Sequence, residues 1–483
     1  MSVAIVGGGV TGLTTAILLL ERGIPVTLYE ASTVSGGLAG SWHKDGFAFD
    51  FGPHEFCTSN PALQTLLADV CGDDLLTIEK RSAQHFNKQF VRYPFEVADV
   101  LRNVDPLLCG KALLEVAGAR IANLFRRPAD ASFEDWTRAR YGKTLYDAYF
   151  GPYTEKVWGI PPSQLDPRTA TQRITVDSLW DLLKRSVGYQ FFGREDHTQA
   201  HNEYRRSFYY VRRGIGTLQE HLVRRLHELG GRIELGRRLV AVERGDQGAV
   251  TGLRFADGSR ADDFDRVVST IPLPALLGMT LGERGAELAR THALPFRGMV
   301  FLFLRIAKPQ VMDYHWVYFP DLDIPFQRTT EFVHFGADMT PPGKTGMTLE
   351  IASTPGDAVW ESSDQELTRR CLDSLESLGV LAPAEVLGVD VVRVANVYPV
   401  QVMDFLEKSE ALIGALEEAP NLVTIGRQGL FRYCNMNECM EMAMDVVPRL
   451  VSGESSIRYR GDATWQGVAI TDGRQATLAM PDG

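Results

Sequence analysis

Six residues near the start of the chain, Gly7-Gly8-Gly9-Val10-Thr11-Gly12, have the types and spacing to hold a phosphate-bearing ligand. They satisfy GxGxxG between an apolar run, VAIV at 3–6, and a helical stretch that reaches Arg22. In such a unit Gly7 allows the tight turn, Gly9 lets backbone approach a pyrophosphate, and Gly12 permits close packing of helix on strand. Val10 and Thr11 open the helix, whose free N–H groups and partial positive charge favour phosphate oxygens. Glu30 closes a second strand, Pro25 to Tyr29, where a carboxylate can accept both hydroxyls of a ribose. Strand, turn, helix and acid together predict a βαβ dinucleotide site.

A second glycine loop, Ser35 to Gly40, follows soon after Glu30 and carries Gly36, Gly37 and Leu38. No separate nicotinamide-binding unit of similar quality follows, so the dinucleotide is read as FAD. Further along, Tyr149, Phe150, Tyr153 and Trp158 put four aromatics within ten positions. Tyr149 and Tyr153 share a helix face if the segment stays helical, and such rings either stack on a flat base and a sugar or pack into core. Arg328, flanked by Gln327 and threonines in a strand-like run, has the fork geometry that suits a diphosphate. The ten histidines show no HExxH-like spacing and the six cysteines no CxxC, so neither a metal site nor a disulfide framework is expected.

The elements that must position these residues follow from length and pattern. At 483 residues the chain is long enough for two or three lobes and a large buried cofactor. A net charge of −11 disfavours non-specific binding to nucleic acid or to an anionic membrane. No secretory signal fits before Val3, and the early apolar run Ala16–Leu20 is far short of the ~20 residues that span a bilayer, so a soluble cytoplasmic protein is expected. The stretch from 60 to 207 reads as mainly helical, with Asn60 before Pro61 and Ser132 before Phe133 as helix starts. From 208 to 272 the pattern returns to α/β, with a hairpin at Asp257-Gly258. Strand-like runs with one helix, Ser363 to Leu378, then fill 296 to 396, and a strand and a helix through Leu450 follow.

The predicted class is α/β with mixed α+β character. A Rossmann-type FAD-binding domain is built from 1–95, 208–290 and 397–450. A helical domain with a substrate-lining segment is inserted at 96–207, an antiparallel-sheet substrate domain at 291–396, and 451–483 forms a tail.

Several blocks carry a family resemblance. Gly36-Gly37 with FDFGPHEF (49–56) resembles the superfamily of amine oxidases, phytoene desaturases and UDP-galactopyranose mutases. Gly52-Pro53-His54-Glu55-Phe56 is similar to a mutase block whose histidine lies against the flavin ring. LYDAYFGPYTEKVWG (145–159) resembles the segment lining the nucleotide-sugar site, and DIPFQRTTE (323–331) the strand with a diphosphate-binding arginine. Val397-Tyr398-Pro399 is similar to a substrate-tyrosine site, and GRQGLFRYCNMN (426–437) to the flavin-and-substrate loop. The resemblance implies that Gly426, Arg427, Tyr433, Asn435 and Met436 border the flavin. It also implies that Arg173, with a one-residue shift, joins Arg328 in binding substrate, and that Tyr398, Tyr433 and Asn435 face the substrate. Two positions depart from the mutase pattern: Cys57 stands where a second histidine is frequent, and Asn435 where bacterial mutases carry an acid.

What the resemblance implies chemically is a pyranose–furanose mutase acting on a nucleotide sugar such as UDP-galactose. There the N5 of reduced flavin attacks the anomeric carbon, with His54 in contact with the ring. Such an enzyme needs reduced FAD, supplied by an external reductant such as NAD(P)H, and a loop that closes on substrate, for which Pro161–Arg173 is the candidate. Two readings stay open beside it: an FAD-dependent oxidase or desaturase of a small molecule, and a scaffold that holds FAD without catalysis. A homodimer is compatible with all three.

Overall fold

In the computed structural model, residues 1–86, 88–93, 105–125, 131–173 and 207–454 are described. The apolar run at the N-terminus forms the central strand, Val3–Val6, buried along its whole length. It pairs in parallel with Val26–Tyr29 on one side and Arg266–Ser269 on the other. Arg232–Glu234 and Leu422–Thr424 complete a five-stranded parallel sheet at its two edges. A strand covered on both faces needs no alternation of polar residues, which is why VAIV and RVVS read as continuous apolar runs. The glycine-loop helix, Val10–Leu20, lies between this sheet and the closing helix, Met436–Val451.

The second sheet has seven strands and sets the floor of the site. Its order is Val386–Pro399, Phe296–Ile306, Thr345–Ser353, Arg328–Glu331, Trp316–Tyr318, Ser82–Phe86 and Gln89–Tyr93. All neighbours are antiparallel except Trp316–Tyr318 with Ser82–Phe86. Phe296–Ile306 shows how two cores share one strand. Met299, Phe301 and Phe303 pack toward the cofactor side, while Val300, Leu302 and Leu304 meet Leu367, Cys371 and Leu375 of the helix Asp364–Ser377. The period of two along a strand and of about 3.6 along a helix makes both faces apolar at once. That helix starts where the sequence predicts, with the Ser363 side chain accepting from the Glu366 N–H.

The helix starts at Asn60 and Ser132 are present as N-caps, and the Asp257-Gly258 hairpin joins Val250–Phe255 to Arg260–Ala261. The reading of 60 to 207 as mainly helical needs correction. It misses Leu75–Glu79, Ser82–Phe86 and Gln89–Tyr93. Ser82, Gln84 and His85 are polar yet buried, so this strand shows no apolar alternation for a sequence pattern to detect. Residues 455–483 of the expected tail lie outside the described residues. Among the described residues no helix is long and apolar enough to cross a membrane.

Candidate active site and its cofactor cradle

The two glycine loops lie directly on one another. Gly36 N–H donates to the Gly8 carbonyl at 2.7 Å, and Gly9 pairs with Gly36 as a parallel bridge. Gly7 has φ +108°, and a Cβ there would sit 2.2 Å from Thr270 Oγ1. A Cβ on Gly12 would lie 2.0 Å from the Gly7 carbonyl oxygen, so helix and loop touch only because residue 12 is glycine. Gly9 is the helix N-cap, has no side chain to satisfy the first N–H groups, and faces open space. Glu30 accepts from the N–H groups of Gly8 and Ser32 at 2.7 and 2.8 Å. A carboxylate has about four acceptor positions, so these two bonds leave room for ribose hydroxyls. Uncapped helix N–H groups, a cradle that any Cβ would fill, and a fixed acid fit a dinucleotide.

A cavity of about 800 Å³ runs from this cradle to the seven-stranded sheet. Val10, Thr11, Gly37, Leu38 and Pro53 line it beside Gly7, Gly9, Gly36 and Glu30. His54 enters from the turn after Phe47–Asp50; its Nδ1 is buried without a hydrogen-bond partner, 4.0 Å from Asp50 Oδ2. Burial, then the nearby Arg328 and Arg427 guanidinium groups, push the His54 pKa down to about 4, so the ring is neutral at physiological pH. Asp50 is fully buried and accepts from Ser41 Oγ at 2.6 Å, Tyr210 Oη at 2.5 Å and the Ile215 N–H at 3.1 Å. Its burial outweighs those bonds and raises its pKa to about 6.

The far wall is aromatic and cationic. A wide helical turn, Tyr146–Phe150, runs into Gly151–Trp158 and keeps Tyr149 and Tyr153 on one face, stacked at 5.7 Å and 9°. Gln84 Nε2 donates to Tyr149 Oη at 2.6 Å, and Tyr153 meets Tyr318 edge-on at 5.9 Å. Arg328 donates from Nε and Nη2 to both oxygens of Glu350, each at 2.6 Å, a pairing that leaves Nη1 outside the fork. Lys80 is paired with Glu55 at 2.7 Å and lies over the Trp316 ring. Arg427 donates to the carbonyls of Cys434 and Val397 at 2.7 and 3.0 Å and lies over the rings of Tyr433 and Tyr398. Asn435 caps the closing helix, with its N–H donated to Glu438, and lines the cavity with Met436.

Most of the residues singled out in the sequence therefore meet in one cavity. Gly12, Gly52 and Gly426 do not line it but stand behind its wall: a Cβ on Gly52 would lie 2.8 Å from Glu350, and one on Gly426 2.9 Å from Thr11. Trp158 is buried behind Tyr398 and Tyr433 at 5.8 and 5.9 Å, and Phe150 packs on Tyr141 at 4.9 Å. These two rings support the cavity rather than form its surface, since the helix turns them toward core. The Arg173 side chain lies outside the described residues. The Pro161–Arg173 stretch does not have the form of a free lid. Leu165 and Ala170 are fully buried, and Asp166 N–H donates to the Gln401 carbonyl at 2.9 Å.

Sequence reading missed Lys80, Gln84, Trp316, Tyr318 and Glu350. Tyr318 and Glu350 sit opposite Arg328 on its two neighbouring strands. That register was the only signal for them, and it is not written in any local run. Among the described residues no group of three His, Cys, Asp or Glu side chains is placed to hold a metal ion.

The pattern of the flavin-containing amine oxidoreductases matches residues 10–426. The chain belongs to that family. It is an FAD-dependent enzyme of the flavin amine oxidoreductase class. Among curated relatives, a coproporphyrinogen III oxidase of Staphylococcus aureus is 27% identical over 34% of this chain and 38% of its own length. A 4,4'-diapophytoene desaturase of S. aureus is 32% identical over 20% of this chain and 18% of that one, so the match spans well under half of either relative. Among solved structures, a reduced UDP-galactopyranose mutase superposes with a TM-score of 0.78 at 21% identity, covering 94% of this chain and 96% of that one. A putative protoporphyrinogen oxidase from Exiguobacterium gives 0.69 at 18% identity, over 94% and 99%. At these identities the superpositions establish the shared fold.

Proposed function

We propose that this enzyme is a flavin-dependent pyranose–furanose mutase acting on a nucleotide sugar such as UDP-galactose. The observation that carries the proposal is that the glycine cradle and a wall made of Tyr149, Tyr153, Arg328, Tyr398 and Tyr433 border one continuous cavity. The likeness of fold to the UDP-galactopyranose mutase supports the same reading. The stacked pair Tyr149 and Tyr153 offers a flat face to a base. Arg328, together with the hydroxyls of Tyr398 and Tyr433, offers donors to a diphosphate. His54, neutral and lining the cavity, would lie beside a bound flavin without adding charge to it. FAD, when bound and reduced, supplies nucleophilic chemistry at the anomeric carbon and consumes no net electrons, with an external reductant such as NAD(P)H needed only to prime it. Binding, orientation and exclusion of water fall to the protein.

One observation favours a second reading, an FAD-dependent oxidoreductase of a polar small molecule. Arg328 and Lys80 are already paired with Glu350 and Glu55, so the wall offers a diphosphate less uncompensated positive charge than two arginines and a lysine suggest. The deciding experiment incubates dithionite-reduced enzyme anaerobically with UDP-galactose and with UDP-arabinopyranose. Furanose product by chromatography is expected. Absence of product from both, with flavin bleached by a polar substrate and reoxidised by oxygen, would establish the second reading.

A further inference from the structure

The closing helix brings two thiols to the wall of the cofactor cavity. Cys434 lies just before the helix cap Asn435, and Cys439 lies in the first turn of Met436–Val451. Both are buried, both line the cavity, and their Sγ atoms are 3.4 Å apart. We propose that Cys434 and Cys439 are a redox-active dithiol that closes to a disulfide when a peroxide enters the cavity.

Geometry and surroundings support this assignment. A disulfide needs its sulfur atoms about 2.05 Å apart, so closure requires a movement of little more than an ångström, within reach of side-chain rotation. The hydrogen bond from Cys434 holds the Cys439 thiol below its ordinary pKa, helped by Arg427 and the Thr11 hydroxyl and opposed by burial. The N-terminal end of a 16-residue helix adds to the same effect. The shared hydrogen bond and burial push Cys434 up instead, so it keeps its proton. The remaining cysteines are not activated: burial pushes Cys57, Cys71 and Cys371 up to about 12, and raises Cys109.

The steps balance. The Cys439 thiolate attacks one oxygen of hydrogen peroxide, the O–O bond breaks, and hydroxide leaves as water after taking a proton; the sulfur is now a sulfenic acid. The Cys434 sulfur then attacks the Cys439 sulfur, the S–O bond breaks, and the second water carries away the Cys434 proton. Two thiols and one peroxide become one disulfide and two waters, with two electrons passing from sulfur to oxygen. Closure would also reach the site, because the Cys434 carbonyl accepts from Arg427, which lies over Tyr398 and Tyr433. The inference rests on the cavity wall and does not depend on which substrate the enzyme takes.

The test uses FAD-loaded wild-type enzyme exposed to an equimolar amount of hydrogen peroxide, then alkylated and cut with trypsin. Cleavage after Arg432 and Arg449 releases both cysteines on one peptide, Tyr433 to Arg449. The expected product is that peptide without alkyl groups and lighter by two hydrogens, restored to two alkylatable thiols by dithiothreitol. In the Cys434→Ser variant, dimedone should capture a Cys439 sulfenic acid that the wild type does not accumulate. Two alkylated cysteines in the wild-type peptide after peroxide would overturn the proposal, as would equal dimedone capture in wild type and variant. The wild-type measurement requires no substitution, so a misfolded variant does not cloud it.

Discussion

Arg328 illustrates how far one residue's role depends on its partner. Its guanidinium is bound by Glu350, which is 1% exposed, so either residue alone would be a poorly solvated charge. Removing one member of a buried pair typically costs about 3–5 kcal/mol. Glu350→Ala is therefore expected to destabilise the fold by that amount in urea titrations, and Arg328→Met combined with Glu350→Leu to recover much of it. An additive double variant would show that the pair is not the source. His54 makes a prediction about pH. Its folded-state pKa of about 4 lies below the unfolded value of about 6.5. As pH falls through that window the unfolded chain takes up a proton that the folded chain refuses, and stability is lost. Asp50, raised to about 6, works the other way, because the folded state takes up its proton first. His54→Gln removes only the first contribution. Relative to wild type, the variant should gain about 2–3 kcal/mol between neutral pH and pH about 4. A pH-independent difference between the two would refute this account.

At the scale of elements, the glycine loop is the most constrained. Gly12→Ala places a methyl 2.0 Å from a backbone carbonyl that cannot rotate away, so loop and helix must part. Overpacking of this kind costs about 1–3 kcal/mol, and the visible absorbance of bound flavin should fall with it. A variant that keeps full flavin content would contradict the packing role given to Gly12. This loop, its strands and Glu30 were legible in the sequence because every requirement falls within thirty residues and concerns backbone shape. The strand Ser82–Phe86 was not, since its buried Ser82, Gln84 and His85 are stabilised by partners elsewhere in the chain. The Tyr149–Tyr153 pair was half legible: spacing placed both on one face, while only packing decided that Phe150 and Trp158 point away from the cavity.

At the scale of the whole molecule, the cofactor site is assembled from distant parts of the chain. The parallel sheet takes strands from both ends, and the closing helix buries Met440, Val446 and Val447 in the core shared with the glycine-loop helix. FAD binding should therefore report on global folding. With free FAD at about a hundredfold its Kd, stability is expected to rise by about 2.7 kcal/mol. A chain ending at Pro420 loses Leu422–Thr424, Arg427 and Tyr433 and should show no such rise in thermal denaturation. Retained FAD stabilisation in that truncation would mean the N-terminal unit holds the cofactor alone.

The sequence by itself determined that a dinucleotide is held, that it is FAD, and roughly where the surrounding walls come from. Those conclusions rest on short contiguous runs whose backbone geometry admits few alternatives. Only the tertiary structure decided the pairings that set the site's charge: Arg328 with Glu350 and Lys80 with Glu55. The first depends on strand register and the second on how two loops meet, with partners 22 and 25 positions apart in the chain. Such contacts are fixed by the packing of the whole core, not by any local run of residues.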